Sequence, residues 1–225
     1  MWVEATELEK RRYKLSRIVL YDYWRSSASY RVRIALNLAS LPFETIPVDI
    51  FKGEHRLENH LKRNPQSFVP VIDIDNKSFT QSLSIIEYLD ETRKLGLLPK
   101  DHAKRAKVTA LAYAIAIDIH PICNLSVASH AEKISGRENY KKEWMKKFIG
   151  SGLEAFEKLL EGIPKKGYCA GDSPSLPDIC LVPQIYNAIR WEVNISGFSR
   201  INAVMQSCNK HPAFIKAHPD FFKPK

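Results

Sequence analysis

The chain has 225 residues, 44% of them hydrophobic and 26% charged, which is enough apolar material for a full core and excludes a disordered polymer. Its formal net charge of +9 raises the question of nucleic acid, although a positive field of that kind also attracts small anions. The opening sixteen residues carry glutamates and paired basic residues without a continuous apolar run, so no secretion signal is expected. The most apolar stretch, Val108 to Ile119, is too short to cross a bilayer and contains Asp118. No membrane span and a cytoplasmic location are the expectations.

The four cysteines, Cys123, Cys169, Cys180 and Cys208, lie far apart, as free thiols of a reducing compartment would. The seven histidines are equally dispersed, with no metal-binding spacing, so no metal site is expected. Lys141, Lys142, Lys146 and Lys147 alternate with Trp144, Met145, Phe148 and Ile149 at helical spacing. That pattern reads as the solvated face of an amphipathic helix, and no nucleic-acid partner is expected.

Along the chain, Ile18-Val19-Leu20-Tyr21 reads as a strand, followed by Trp24-Arg25-Ser26-Ser27 and a helix with Tyr30, Ile34, Leu36 and Leu38 at helical spacings. The two serines are N-cap candidates. Glu44 to Val48 is a second strand, which makes a right-handed β-α-β unit. A weakly helical segment (Glu54 to Arg63), a strand at Val71 to Ile74, a turn at Asp75-Asn76-Lys77 and a returning strand at Ser78 to Thr80 come next. Gln81-Ser82 then caps a helix carrying Leu83, Ile86 and Leu89. The order β-α-β-(α)-β-β-α is thioredoxin-like.

Leu95 to Lys100 is a Gly/Pro-containing linker, and beyond it the pattern is helical: His102 to Ile119 with a continuation past Pro121, then Glu143 to Leu160. After a loop at Gly162 to Pro174, Ser175-Leu176-Pro177-Asp178 has the hydroxyl and carboxylate of a capping box and starts a helix to about Arg190. The expected fold is an α/β thioredoxin-like N-terminal domain, 17–95, plus an all-α C-terminal domain, 102–225.

The segment Ser26-Ser27-Ala28-Ser29-Tyr30-Arg31-Val32-Arg33-Ile34-Ala35-Leu36 resembles the SSCxWRVRIAL signature of zeta-class glutathione transferases, the maleylacetoacetate isomerase family. The resemblance continues through Asn64-Pro65, Val69-Pro70, Gln81 to Leu89, Leu98-Pro99, Pro121 with Asn124 to Val127, Asp178, and Leu181 to Gln184 leading to Arg190. It spans roughly Ile18 to Pro212. It implies the glutathione transferase fold, a homodimer, and glutathione as cosubstrate.

A thiol of pKa ~8.5 is mostly protonated at neutral pH, and a hydroxyl donor at a helix N-terminus favours its thiolate. Ser26 is the candidate hydroxyl and Ser27 the alternative, while both also suit plain capping. The helix start at Gln81-Ser82 can bind a carboxylate, which by resemblance is the γ-glutamyl one. The resemblance also implies a cis bond at Val69-Pro70, with the Val69 backbone pairing with the cysteinyl part of glutathione. His55 falls near a glycyl-end contact of the family, or is a surface histidine. Asn124 and His120 resemble cleft positions. Arg25 and Arg190 are the candidates for gripping a small anionic substrate, or are ordinary surface arginines.

The family signature's cysteine is Ala28 here, and Cys123 stands where a glutamine that helps to hold glutathione is common. The activity implied is cis–trans isomerisation of maleylacetoacetate to fumarylacetoacetate, in tyrosine and phenylalanine breakdown. General glutathione transfer to small electrophiles such as α-haloacids, isomerisation of maleylpyruvate, and a non-enzymatic transferase-like protein are the alternatives. Retention of Ser26, Val69, Gln81 and Ser82 together argues against the last.

Overall fold

The structure, a computed structural model, describes residues 17–163 and 166–224. The charged lead, 1–16, and part of the expected loop, 164–165, lie outside the described residues. Two compact units divide the chain, one running to Arg93 and taking in the segment from His218 onward, the other spanning Lys94–Ala217.

In the first unit, β1 (Val19–Asp22) is buried at every position because it is central in a four-stranded sheet of order β2-β1-β3-β4. β2 (Glu44–Pro47) pairs parallel with β1, and β3 (Val71–Ile74) pairs antiparallel with it. β4 (Lys77–Thr80) returns antiparallel to β3. The turn between them is two residues long, and both Asp75 (φ 52°) and Asn76 (φ 59°) occupy the left-handed region that such tight hairpins require. Alternation along the strands sends Leu20, Ile72 and Ile74 to one face, and Val19, Tyr21 and Val71 to the other, where they cluster with Val48 and Val69.

Helix α1 (Ser27–Leu38) and helix α3 (Ser82–Arg93) pack together. Between them in sequence lie a 3-10 turn at Glu54–Arg56 and the short α2 (Glu58–Leu61), in the segment expected to be weakly helical. α1 buries Val32, Ile34 and Leu36 as its periodicity requires, and it also buries Arg31 and Arg33, which no apolar pattern marks. On α3, Ile85, Ile86 and Leu89 are buried and Leu83 is half-buried.

The expected boundaries assigned everything after residue 102 to the helices. The segment from His218 instead belongs to the first unit, where aromatic contacts hold it. His218 meets Tyr30 edge-on at 6.3 Å, and Phe222 stacks on Phe43 at the same centroid distance.

The second unit is helical throughout its elements. Helix α4 (His102–Tyr113) is capped by Asp101, which accepts from Lys104 N at 2.8 Å. It passes into a π-helical turn at Ala114–Ile119. The expected continuation past Pro121 is a separate helix, α5 (Leu125–Ser135), with Asn124 at its N-cap, because proline has no N–H to extend the ladder.

Helix α6 (Tyr140–Glu161) buries Met145, Ile149, Leu153, Phe156 and Leu160 along one stripe, while Lys142, Lys146 and Lys147 are exposed, as the amphipathic reading requires. A Cβ on Gly152 would lie 2.4 Å from the Ile119 side chain, so glycine lets α6 approach the π turn closely. Helix α7 (Leu176–Arg190) starts from the capping box Ser175/Asp178, and Leu176 N donates to Leu97 O of the linker at 3.1 Å. Helices α8 (Ser199–Cys208) and α9 (Pro212–Lys216) finish the unit. No described helix is long and apolar enough to cross a membrane.

Candidate active site

Sheet register gathers the candidate residues of the first unit at one end. Tyr21 near the close of β1 pairs with Val71 at the opening of β3, and Val71 pairs with Thr80 at the close of β4. The segments just outside this row are therefore Trp24-Arg25-Ser26-Ser27, Val69-Pro70 and Gln81-Ser82. Asp22 pairs with Pro47 at the end of β2, so the segment leading to His55 leaves from the same end.

Ser26 is the N-cap of α1, and its hydroxyl oxygen accepts from Ser29 N at 3.2 Å. That bond fixes the oxygen and leaves its hydrogen free to be donated beyond the helix end. Ser27 is the first residue of the helix and is buried. Arg25 donates from Nε and Nη2 to the Tyr23 hydroxyl at 3.3 and 3.1 Å, and its guanidinium lies 4.8 Å over the Trp24 ring. These contacts hold a cation beside the serine.

The Val69-Pro70 bond is cis. The preceding carbonyl, Phe68 O, is held by two buried donors, His60 Nε2 and Asn64 Nδ2, each at 3.0 Å. A carbonyl only accepts, so His60 carries its hydrogen on Nε2. The Val69 N–H and C=O take no backbone hydrogen bond among the described residues and can serve an extended ligand.

Gln81 has φ 67°, a strained conformation for a side chain of its size, and donates from Nε2 to Gln66 Oε1 at 2.8 Å. Its carbonyl accepts from Ile85 N at 3.0 Å, so it is the cap from which α3 presents free N–H groups. Ser82, buried at the first turn, accepts from Arg31 Nη1 at 3.3 Å, which leaves its own hydroxyl hydrogen available.

His55 is half-buried, and its Nδ1 is buried with no partner. Burial, assisted by the charges of Arg56 and His60, lowers its pKa, so it is a neutral imidazole at pH 7.

The remaining candidates belong to the second unit. His120 follows the π turn and is half-buried, Asn124 caps α5 through its backbone, and Arg190 is exposed in the last turn of α7. Cys123 beside them is buried, and desolvation pushes its thiol up to about 12. Among the described residues, no group of three or more His, Cys, Asp or Glu could hold a metal.

Arg31, Arg33, Asp22 and His60 are all buried in the first unit and none is among the site candidates named from the sequence, although both arginines fall within the signature segment. The available signal was the interruption of an apolar helix by two arginines.

A family model described as glutathione S-transferase, N-terminal domain, matches residues 20–95, and one described as glutathione S-transferase, C-terminal domain, matches 113–212. A maleylacetoacetate isomerase of Rhizobium meliloti (strain 1021) is 52% identical over 92% of this chain and 98% of its own. The holo structure of a maleylpyruvate isomerase, a bacterial zeta-class glutathione transferase, has a TM-score of 0.86 at 39% identity, covering 89% of this chain and 96% of that one. A maleylacetoacetate isomerase of Methylobacterium extorquens AM1, solved with bound malonate and glutathione, has a TM-score of 0.86 at 30% identity, covering 92% and 98%.

Proposed function

The chain belongs to the glutathione S-transferase family, and from that premise we propose that it is a glutathione-dependent cis–trans isomerase converting maleylacetoacetate to fumarylacetoacetate. The observation that carries the reading is the Ser26 hydroxyl, fixed through its oxygen at the N-terminus of α1 with its hydrogen still free to donate.

The residues present fit a γ-glutamyl tripeptide. Ser26 suits the sulfur, the open backbone of Val69 suits the peptide portion, and the buried Ser82 hydroxyl with the first N–H groups of α3 suits a carboxylate. His55 and Asn124 are further proposed contacts. Glutathione, when bound, supplies the thiol nucleophile that adds reversibly to the conjugated cis double bond, allowing rotation before it leaves.

Ser26 donates to the sulfur and, with the α1 helix dipole, favours its ionised form. Arg25, half-buried and anchored on Tyr23 and Trp24, sets a cation near the sulfur to stabilise negative charge developing on the substrate oxygen. Arg190 is proposed to take a substrate carboxylate, and His120 to line the same pocket. The bound malonate and glutathione of the Methylobacterium relative support an anion partnered with glutathione. A cytoplasmic homodimer completes the reading, supported by the four buried free cysteines for the compartment and by family membership for the dimer.

The test is turnover of maleylacetone with glutathione, compared with maleylpyruvate and with chlorodinitrobenzene. Preference for maleylacetone is expected. Preference for maleylpyruvate would reassign the substrate, and conjugation of chlorodinitrobenzene with no isomerisation would replace the isomerase reading by general transfer.

A further inference from the structure

The segment beyond His218 lies outside the sequence signature of the site, yet it reaches the residues that support the serine turn. Arg33 is fully buried on α1 and uses two arms of its guanidinium on that turn. Nη1 pairs with Asp22 Oδ2 at 2.5 Å, and Nη2 donates to Trp24 O at 2.9 Å. Ser26 N in turn donates to Tyr23 O at 2.8 Å, so between the strand pairing at Asp22 and the helix cap at Ser26 the turn is tied by the Arg33 side chain and one tight backbone bond.

The face of that guanidinium is covered by Phe222, whose ring centroid lies 4.5 Å from Arg33 Cζ, with Tyr30 at 5.3 Å. Phe222 is itself braced by stacking on Phe43, and the neighbouring Lys223 places its ammonium 5.8 Å over the Trp24 ring. A cavity of about 140 Å³ lined by Asp22, Trp24, Phe51 and Phe222 adjoins the turn.

We propose that Phe222, acting through Arg33, is a positioning residue for the Trp24–Ser26 turn. The inference rests on the reading of Ser26 as the group that donates to the sulfur. The ring shields the guanidinium from water and attracts it through its face, which keeps both arms directed at Asp22 and Trp24 O. Without the ring, the cavity extends to Arg33, the guanidinium hydrates, and the turn can shift relative to the rest of the site. The Phe68 carbonyl before Val69 is held by His60 and Asn64, and Ser82 at the start of α3 by Arg31, contacts separate from those of Arg33, so the glutathione carboxylate end is unaffected.

The test compares the full chain with Phe222→Ala, Phe222→Leu and Phe222→Tyr, reading kcat with maleylacetone, KM for glutathione, and the ultraviolet thiolate absorption of bound glutathione. Phe222→Ala and Phe222→Leu are expected to lower kcat roughly ten- to a hundredfold and to weaken the thiolate band, with KM for glutathione changed less than about twofold. Phe222→Tyr, which keeps the ring face, should restore both. Unchanged kcat and thiolate band in Phe222→Ala overturn the proposal, as does full restoration by Leu. A loss of kcat and glutathione affinity by one common factor that Tyr does not rescue also overturns it. If the unsubstituted protein forms no thiolate band with glutathione, the reading of Ser26 itself fails and takes this proposal with it.

Discussion

Arg31 on α1 donates from Nη1 to the hydroxyl of Ser82 at the first turn of α3, 3.3 Å away, so the residue proposed to hold the glutathione carboxylate is oriented from the helix that carries the serine turn. Ser82→Ala removes a ligand donor and the acceptor of a buried guanidinium arm. KM for glutathione should rise roughly tenfold with kcat at saturation little changed, as for loss of one charge-assisted hydrogen bond. Ser82→Thr keeps the hydroxyl and should recover most of the affinity. An equal fall in kcat would give Ser82 a role in the chemical step instead.

Ser26→Ala should move the rate profile with maleylacetone to higher pH, since a thiol that loses its hydroxyl donor ionises at higher pH. The variant should also lose about 1 kcal/mol of stability, because Ser26 caps α1. Ser27, buried inside the first turn, should tolerate alanine better. A larger pH shift in Ser27→Ala would transfer the role to Ser27.

The strands, α1, α3 and the capping box of α7 were legible in the sequence because each rests on local signals: apolar runs, serine or acidic caps, and a turn of Asp75-Asn76. The serine turn and the start of α3 could be placed from the same signals. What stayed hidden depends on contacts distant in sequence. Arg33 looks like an exposed helix residue until Asp22 and Phe222, eleven positions before and nearly two hundred after, enclose it. The π turn before Pro121 likewise has no marker in its apolar run and is set by tertiary packing against α6, where Gly152 admits Ile119.

Thiol reagents should leave the folded protein almost unmodified at pH 8. All four cysteines are buried, and desolvation pushes Cys123 up to about 12 and raises Cys169 and Cys208 well above the usual thiol range. Reaction needs both access and thiolate; the native state denies access to all four cysteines and disfavours the thiolate of Cys123, Cys169 and Cys208. Intact mass after iodoacetamide treatment should show the unmodified chain, with four additions once denaturant is present. Rapid native alkylation of Cys123 would show that its surroundings open in solution.

The hairpin residue Asp75 accepts from Tyr88 Oη at 2.6 Å and from Arg93 Nη2 at 2.6 and 2.8 Å. Burial pushes its carboxyl up, but the hydrogen bonds from Tyr88 and Arg93, with the charges of Arg93 and Lys77, outweigh it and hold the pKa below the usual carboxylate value. A lowered folded pKa gives stability that is present above the unfolded value of about 3.9 and lost as pH falls through the folded one. With about a third of the side chain exposed, solvent screening limits the contribution to about 1 kcal/mol or less. Asp75→Asn should therefore melt slightly lower at pH 7, with the difference closing in acid. A constant difference across that range would assign the effect to turn geometry rather than to charge.

Asp178 is the buried acceptor on which the start of α7 depends. Its Oδ1 accepts from Cys169 N at 2.8 Å, and Oδ2 accepts from Ser175 N at 2.9 Å and from the Ser175 hydroxyl. Asp178→Ala strands buried donors from two segments of chain at once. At about 1–3 kcal/mol for each unsatisfied group, the expected loss is roughly 3–5 kcal/mol, read as a large drop in melting temperature or denaturant midpoint. Asp178→Asn should not be benign. An amide offers one acceptor oxygen and turns its NH2 toward whichever N–H the other carboxylate oxygen had satisfied, so a donor faces a donor. Both variants should lower stability by amounts of the same order, whereas a purely electrostatic role would confine the loss in either variant to pH values at which Asp178 of the unsubstituted chain is ionised. An Asn variant as stable as the unsubstituted chain would show that a single acceptor suffices and that Cys169 N finds another partner.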